Sequence, residues 1–92
     1  MSLEASLERR GCADLAFQGI STVKVGLDGW PDRLVLLGYG RHIWFEFKTV
    51  SGRLRPAQVN RKRLLEQDGD RVYVIRSSAD AQRALEEGVR AV

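Results

Sequence analysis

Asp32, Glu46 and Lys48 are the residue types from which a hydrolytic metal site is assembled, and one hairpin spaces them. Asp32 ends the run Gly29-Trp30-Pro31-Asp32 and is followed by Arg33, while Glu46 and Lys48 flank Phe47 farther on. Two carboxylates brought together repel one another, and a hard cation such as Mg²⁺ with oxygen ligands relieves that repulsion. A lysine beside them can orient or help deprotonate an attacking water, or neutralise charge on a phosphate in the transition state. Hydrolysis of a phosphodiester needs these parts.

The elements that must position these groups are legible. Leu34-Val35-Leu36-Leu37 is an apolar run of buried-strand type, and Arg41 to Thr49 is rich in β-branched and aromatic residues. Gly38-Tyr39-Gly40 between them reads as a hairpin loop. With the turn centred on Tyr39, the numbers of paired residues total 78 and Asp32 lies opposite Glu46. Their Cβ atoms then stand roughly 5 Å apart. Alternation puts Trp44, Glu46 and Lys48 on a working face and Ile43, Phe45 and Phe47 on a core face. A loop longer by one residue would break the pairing. Singly, each acid has a plainer reading: Asp after Pro often caps a turn, and Glu-x-Lys on a strand is often a solvated ion pair. Their opposition across one hairpin favours the chemical reading.

The same residues resemble the VRR-NUC branch of the PD-(D/E)XK nuclease superfamily. The resemblance rests on Gly29-Trp30-Pro31-Asp32-Arg33, Phe45-Glu46-Phe47-Lys48, Gly52, Leu54 and Gln58, then Leu65, Gly69, Val72, Val74 and Ser77. It covers nearly the whole chain and implies a restriction-endonuclease-like α/β fold, a small mixed β-sheet flanked by helices. It also implies an endodeoxyribonuclease dependent on Mg²⁺ or Mn²⁺. Asp32, Glu46 and the backbone carbonyl of Phe47 would hold the metal, with Lys48 beside the water and Gln58 at the start of the helix behind the active strand. An acid on the first helix would complete the site, Glu8 or else Glu4. Stand-alone members of the family act as homodimers on branched DNA such as four-way junctions, so that partner and assembly are the expectation here. A flap, nick or single-strand nuclease, or a non-catalytic DNA-binding module on the same fold, are the alternatives.

Composition bounds the rest. Ninety-two residues with 43% hydrophobic content give one domain, 1–92, with a modest core. No apolar stretch reaches the roughly 20 residues of a membrane span. Charges at Glu4, Glu8, Arg9 and Arg10 interrupt any signal-peptide pattern, so a cytoplasmic protein, bacterial or in a phage-infected host, is expected. Cys12 and His42 are each single, which makes a zinc site or disulfide a poor fit; Cys12 reads as a small apolar residue and His42 as an exposed ring. The net charge of +3 is mild, but Arg53, Arg55, Arg61, Lys62 and Arg63 crowd a segment without acids. That run reads as phosphate contact beside the active strand or, more plainly, as a solvated helix face.

The expected order is αβββαβ(α). A first helix spans about Leu3 to Phe17 with Leu3, Leu7 and Leu15 inward and Gly11 weakening its middle. A short strand runs from Ile20 to Val25, with Lys24 turned toward the cleft or into solvent. Asp28-Gly29 marks a turn, and Trp30 reads as a core anchor rather than a wall against DNA. Pro56 opens a helix running to about Gln67 with Gln58 toward the sheet. Arg71 to Arg76 is a buried strand, parallel to the third because a helix crosses between them. Ser77 or Ser78 caps a last helix.

Overall fold

The Ser2 hydroxyl accepts the Ala5 N–H at 3.0 Å and starts the first helix, α1 (Leu3–Phe17). There follow β1 (Thr22–Lys24), β2 (Arg33–Gly38), β3 (Arg41–Phe47), α2 (Pro56–Gln67), β4 (Val72–Ile75) and α3 (Ser78–Ala91). This computed structural model describes residues 2–91; Met1 and Val92 of the expected domain lie outside the described residues. The strands form one mixed sheet in the order β1-β2-β3-β4. β1, β2 and β3 pair antiparallel, and β3 pairs parallel with β4, as the crossover through α2 requires. Among the described residues, no helix is long and apolar enough to cross a membrane.

The hairpin reaches the expected register by an unexpected route. Arg33, Leu34, Val35 and Leu36 pair with Phe45, Trp44, Ile43 and His42, so the paired numbers total 78. The turn itself is one residue tighter: Gly38 pairs with Arg41 around Tyr39 and Gly40, both at positive φ (56° and 75°). A two-residue turn with positive φ at both positions matches the twist of the flanking strands. A register shift between Leu36 and Gly38 takes up the difference.

The core lies on the face of β3 that carries Ile43, Phe45 and Phe47, all fully buried with Leu15, Val35 and Ile75. α1 and α3 cover this face, and both come close because each presents a glycine. A Cβ on Gly11 would stand 2.9 Å from Phe47 Cε1, and one on Gly88 would stand 3.0 Å from Ile43 Cγ2. Gly11 therefore sets the spacing between α1 and the sheet, beyond weakening the helix as its type suggested. Leu3 departs from expectation: it is 79% exposed, while Leu7 and Leu15 do turn inward. It sits at the first residue of α1. α2 packs on the opposite face of the sheet, where Gln58 reaches Glu46 and Arg61 lies over Trp30. β4 is an edge strand, so Val72 and Ile75 are buried while Tyr73 and Val74 are only partly covered.

Candidate metal and phosphodiester site

Asp32 stands one residue before β2, and Glu46 and Lys48 project from the end of β3. Continuing the hairpin register by one residue sets Asp32 against Glu46. Asp32 Oδ2 accepts the Phe47 N–H at 2.8 Å, which holds its carboxyl against the strand that carries Glu46. That bond places the Phe47 backbone on the edge of β3 facing the carboxyls. The Phe47 carbonyl faces the same edge, because N–H and C=O of one strand residue point the same way.

Glu46 is 3% exposed and Lys48 7%, a depth at which charged groups occur only with partners. Gln58, also buried, supplies one. Its Nε2 donates to Glu46 Oε2 at 3.2 Å, and its Oε1 accepts the Arg55 N–H at 2.8 Å at the start of α2. The amide thus ties the helix N-terminus to the active strand and leaves no buried side-chain polar atom unpaired among the described residues. Lys48 Nζ lies 3.7 Å from Glu46 Oε2 and 3.8 Å from Glu4 Oε2.

The electrostatics are those of two acids in too little water. Burial first, then the Asp32 charge, pushes the Glu46 carboxyl up from 4.5 to about 8, against the pull of Lys48. Burial also raises Asp32, opposed by the Phe47 N–H and reinforced by the Glu8 charge. Metal-free, the pair therefore holds a proton near neutral pH.

The first-helix acids take different places. Glu8 Oε2 is gripped by Arg33 Nε at 2.7 Å and Lys24 Nζ at 3.0 Å, whereas Glu4 turns to Lys48. Among the described residues no group of three or more His, Cys, Asp or Glu side chains is gathered in metal-binding array. Lys24 is largely exposed and directs its ammonium to Glu8. In the basic run, Arg55 pairs with Asp28 at 3.0 Å, Lys62 with Glu66 at 2.9 Å, and Arg63 donates to Asn60; Arg53 is exposed.

Three features escaped the sequence reading. Arg76, at the end of β4, donates to the carbonyls of Thr49 and Gly52 at 2.6 Å each and to Val50 at 3.3 Å. It pins the turn that leads from Lys48 toward α2, and a lone arginine after a buried strand was the only signal of it. Asp70 accepts from the Trp44 indole N–H at 3.0 Å and bonds His42 at 3.0 Å, so His42 is half-exposed and partnered rather than a free ring. Nothing local marks that triangle. Trp30 is half-buried, its ring centroid 5.7 Å from that of Trp44, and is not a core anchor. Cys12 packs against the core as expected, and burial raises its thiol pKa.

A solved structure described as a VRR_NUC domain superposes on this chain with a TM-score of 0.81, covering 94% of this chain and 97% of that one at 22% identity. The fold is that of a VRR-NUC domain. No protein-family model matches the chain, and no curated protein matches it. The VRR-NUC likeness agrees with the resemblance carried by Gly29-Trp30-Pro31-Asp32 and Phe45-Glu46-Phe47-Lys48.

Proposed function

We propose that this domain is a metal-dependent endodeoxyribonuclease. The observation that carries the reading is the half-buried Asp32 carboxyl set against the buried Glu46 carboxyl, beside Lys48. Such a pair is costly to ionise without a cation, and its donors are hard oxygens suited to Mg²⁺ or Mn²⁺. A magnesium site commonly takes only one or two carboxylates, with waters and substrate phosphate filling its other positions. The two-acid set fits that habit. Asp32, Glu46 and the Phe47 carbonyl would hold the ion, with Glu8 or Glu4 as the outlying acid. When bound, such an ion supplies Lewis-acid polarisation of a phosphoryl oxygen and lowers the pKa of a water.

The chain's own groups do the rest. Gln58 fixes the Glu46 carboxyl in orientation, and the Phe47 N–H fixes that of Asp32. Lys48, between Glu46 and Glu4, stands where it can orient a water or offset charge developing on a phosphate. Arg53 and Arg61 lie on the segment that follows β3, placed for backbone contact with DNA, while Arg55, Lys62 and Lys24 would first have to exchange their present acids for phosphate.

For substrate, we favour branched DNA cut by a homodimer. So small a domain has no separate element for reading base edges, which favours recognition by shape and phosphate. Paired cuts in a symmetric junction need two sites related by a two-fold axis. The test is cleavage of a labelled four-way junction beside matched duplex, flap and single-strand DNA, with Mg²⁺ or Mn²⁺. Paired cuts lost in Lys48→Ala and in Asp32→Ala, both still folded, are expected. Full activity in either variant overturns the mechanism, and preference for another substrate discards the junction alone. Salt-sensitive binding with no cutting makes the domain a non-catalytic DNA-binding module.

A further inference from the structure

Four residues beside the carboxyl pair form a ladder that the site chemistry leaves unused. Asp70 holds the Trp44 indole by its N–H at 3.0 Å. The tilted Trp30 ring packs on Trp44 with centroids 5.7 Å apart. The Arg61 guanidinium then lies over Trp30, its carbon 4.2 Å from the ring centroid. Each member fixes the next, from β3 through the loop before β2 to α2.

Arg61 differs from its neighbours in the basic run. Arg55, Lys62 and Arg63 spend donors on Asp28, Glu66 and Asn60. Arg61 has no ion pair or side-chain hydrogen bond among the described residues, and a ring face rather than an acid holds it. A guanidinium held over a ring by cation–π attraction, with no acid or carbonyl taking its N–H groups, keeps those donors for a bidentate acceptor. Stacking also removes rotamer freedom before any ligand arrives, so less entropy is lost on binding. Trp44 and Glu46 share one face of β3 two residues apart, roughly 7 Å along the strand.

From this arrangement we infer that Trp30 and Arg61 form a preorganised clamp for a nucleic-acid phosphate flanking the one at the carboxyl pair. The clamp rests on the reading of the site as one that takes DNA. Arg61 is its ligand, while Trp30 and Trp44 are positioning residues that set the direction of the fork. The anchoring differs from that of Arg53, which is exposed and has no aromatic support.

Binding tests it without cleavage. Anisotropy of labelled DNA is measured across a salt series with Lys48→Ala as parent, which keeps the strand whole, and with Arg61→Gln, Arg61→Lys and Trp30→Leu added to it. Thermal melts confirm that each is folded. For Arg61→Gln, about fivefold to tenfold weaker binding is expected. The slope of log affinity against log salt should fall by about 0.9 on duplex arms, the value for one phosphate contact. Arg61→Lys should recover the slope but not the affinity, since it keeps charge and loses the fork. Trp30→Leu should weaken binding while keeping the slope. A neutral methylphosphonate at a single flanking position should weaken the parent and leave Arg61→Gln unaffected. Unchanged affinity and slope in Arg61→Gln, or full affinity in Arg61→Lys, overturns the clamp, as does a parent that binds no DNA. Cleavage by the native chain is scored separately, so the clamp can fail while the nuclease stands, or the reverse.

Discussion

Glu46→Gln should make the metal-free protein more stable at pH 8 than the native chain, although it removes a ligand of the proposed metal. The sign follows from protonation. Glu46 has a folded pKa of about 8 against an ordinary 4.5, so between those values the folded state binds more protons than the unfolded one. Stability is then greatest at the acid end and is lost as pH rises toward 8; Asp32, also raised, contributes in the same direction. At about 1.4 kcal/mol per pH unit the ceiling is about 5 kcal/mol. Structural relaxation and water entry, at an effective dielectric near 20, bring the expected loss to about 2 kcal/mol. For a domain of this size that is a drop in Tm on the order of 10 °C between pH 5.5 and 8. Gln at position 46 mimics the protonated acid, retaining an oxygen for Gln58 Nε2 and carrying no charge. The assay is thermal or urea unfolding of both proteins in EDTA from pH 5.5 to 8, then at pH 8 with Mg²⁺. The native curve should fall where the variant's falls much less, and Mg²⁺ should raise the native Tm alone. The difference between the two proteins isolates the carboxyl pair. Parallel profiles, or a variant no more stable than native at pH 8, would refute the account of a strained pair relieved by metal.

Two further substitutions probe the supports of the site. Gly11→Ala gains helix propensity worth about 1 kcal/mol, but its Cβ meets Phe47 Cε1 at 2.9 Å, and that buried ring is backed edge-on by Phe45. Overpacking costs about 1–3 kcal/mol, so a lower Tm is expected; a rise would show that α1 can shift freely. Arg76→Gln replaces the guanidinium that bridges the Thr49, Val50 and Gly52 carbonyls by a shorter amide; the Thr49 carbonyl keeps the Gly52 N–H, so the loss falls on Val50 and Gly52. A loss of about 2 kcal/mol is expected, with faster amide exchange across residues 49–52. Unchanged exchange there would mean that the turn holds itself.

What was legible in the chain was local. Alternation along β3, the glycine-bearing turn and the apolar run of β2 specify the hairpin, and the hairpin brings Asp32 to Glu46. Pro56 and the inward phase of Gln58 likewise place the amide against the strand. What was not legible depends on distant partners. Leu3 carries a core residue's chemistry, yet at the first residue of α1 it stays exposed. Gly11 looks like a flaw until Phe47 is seen beside it. Arg76, Asp70 and Glu8 find their side-chain partners 16 or more residues away, and no periodicity encodes such pairings. The hairpin turn shows the limit from another side: a tighter turn and a register shift cancel, and the pairing survives a wrong picture of the loop.

Asp32, Glu46, Lys48 and Gln58 come from a single stretch of 27 residues, and the central hairpin within it has a bearing on how the chain folds. Hairpins close in microseconds, whereas parallel pairing through a crossover helix must close a longer loop first. The two acids are therefore brought side by side early, while both are still hydrated and their mutual repulsion is weak. Dehydration comes later, when α2 docks its buried amide and β4 zips onto β3. The conflict at the centre of the site thus falls on the late, assembling side of the folding barrier. On this ordering, changes that ease the conflict slow unfolding and leave the rate of folding nearly untouched.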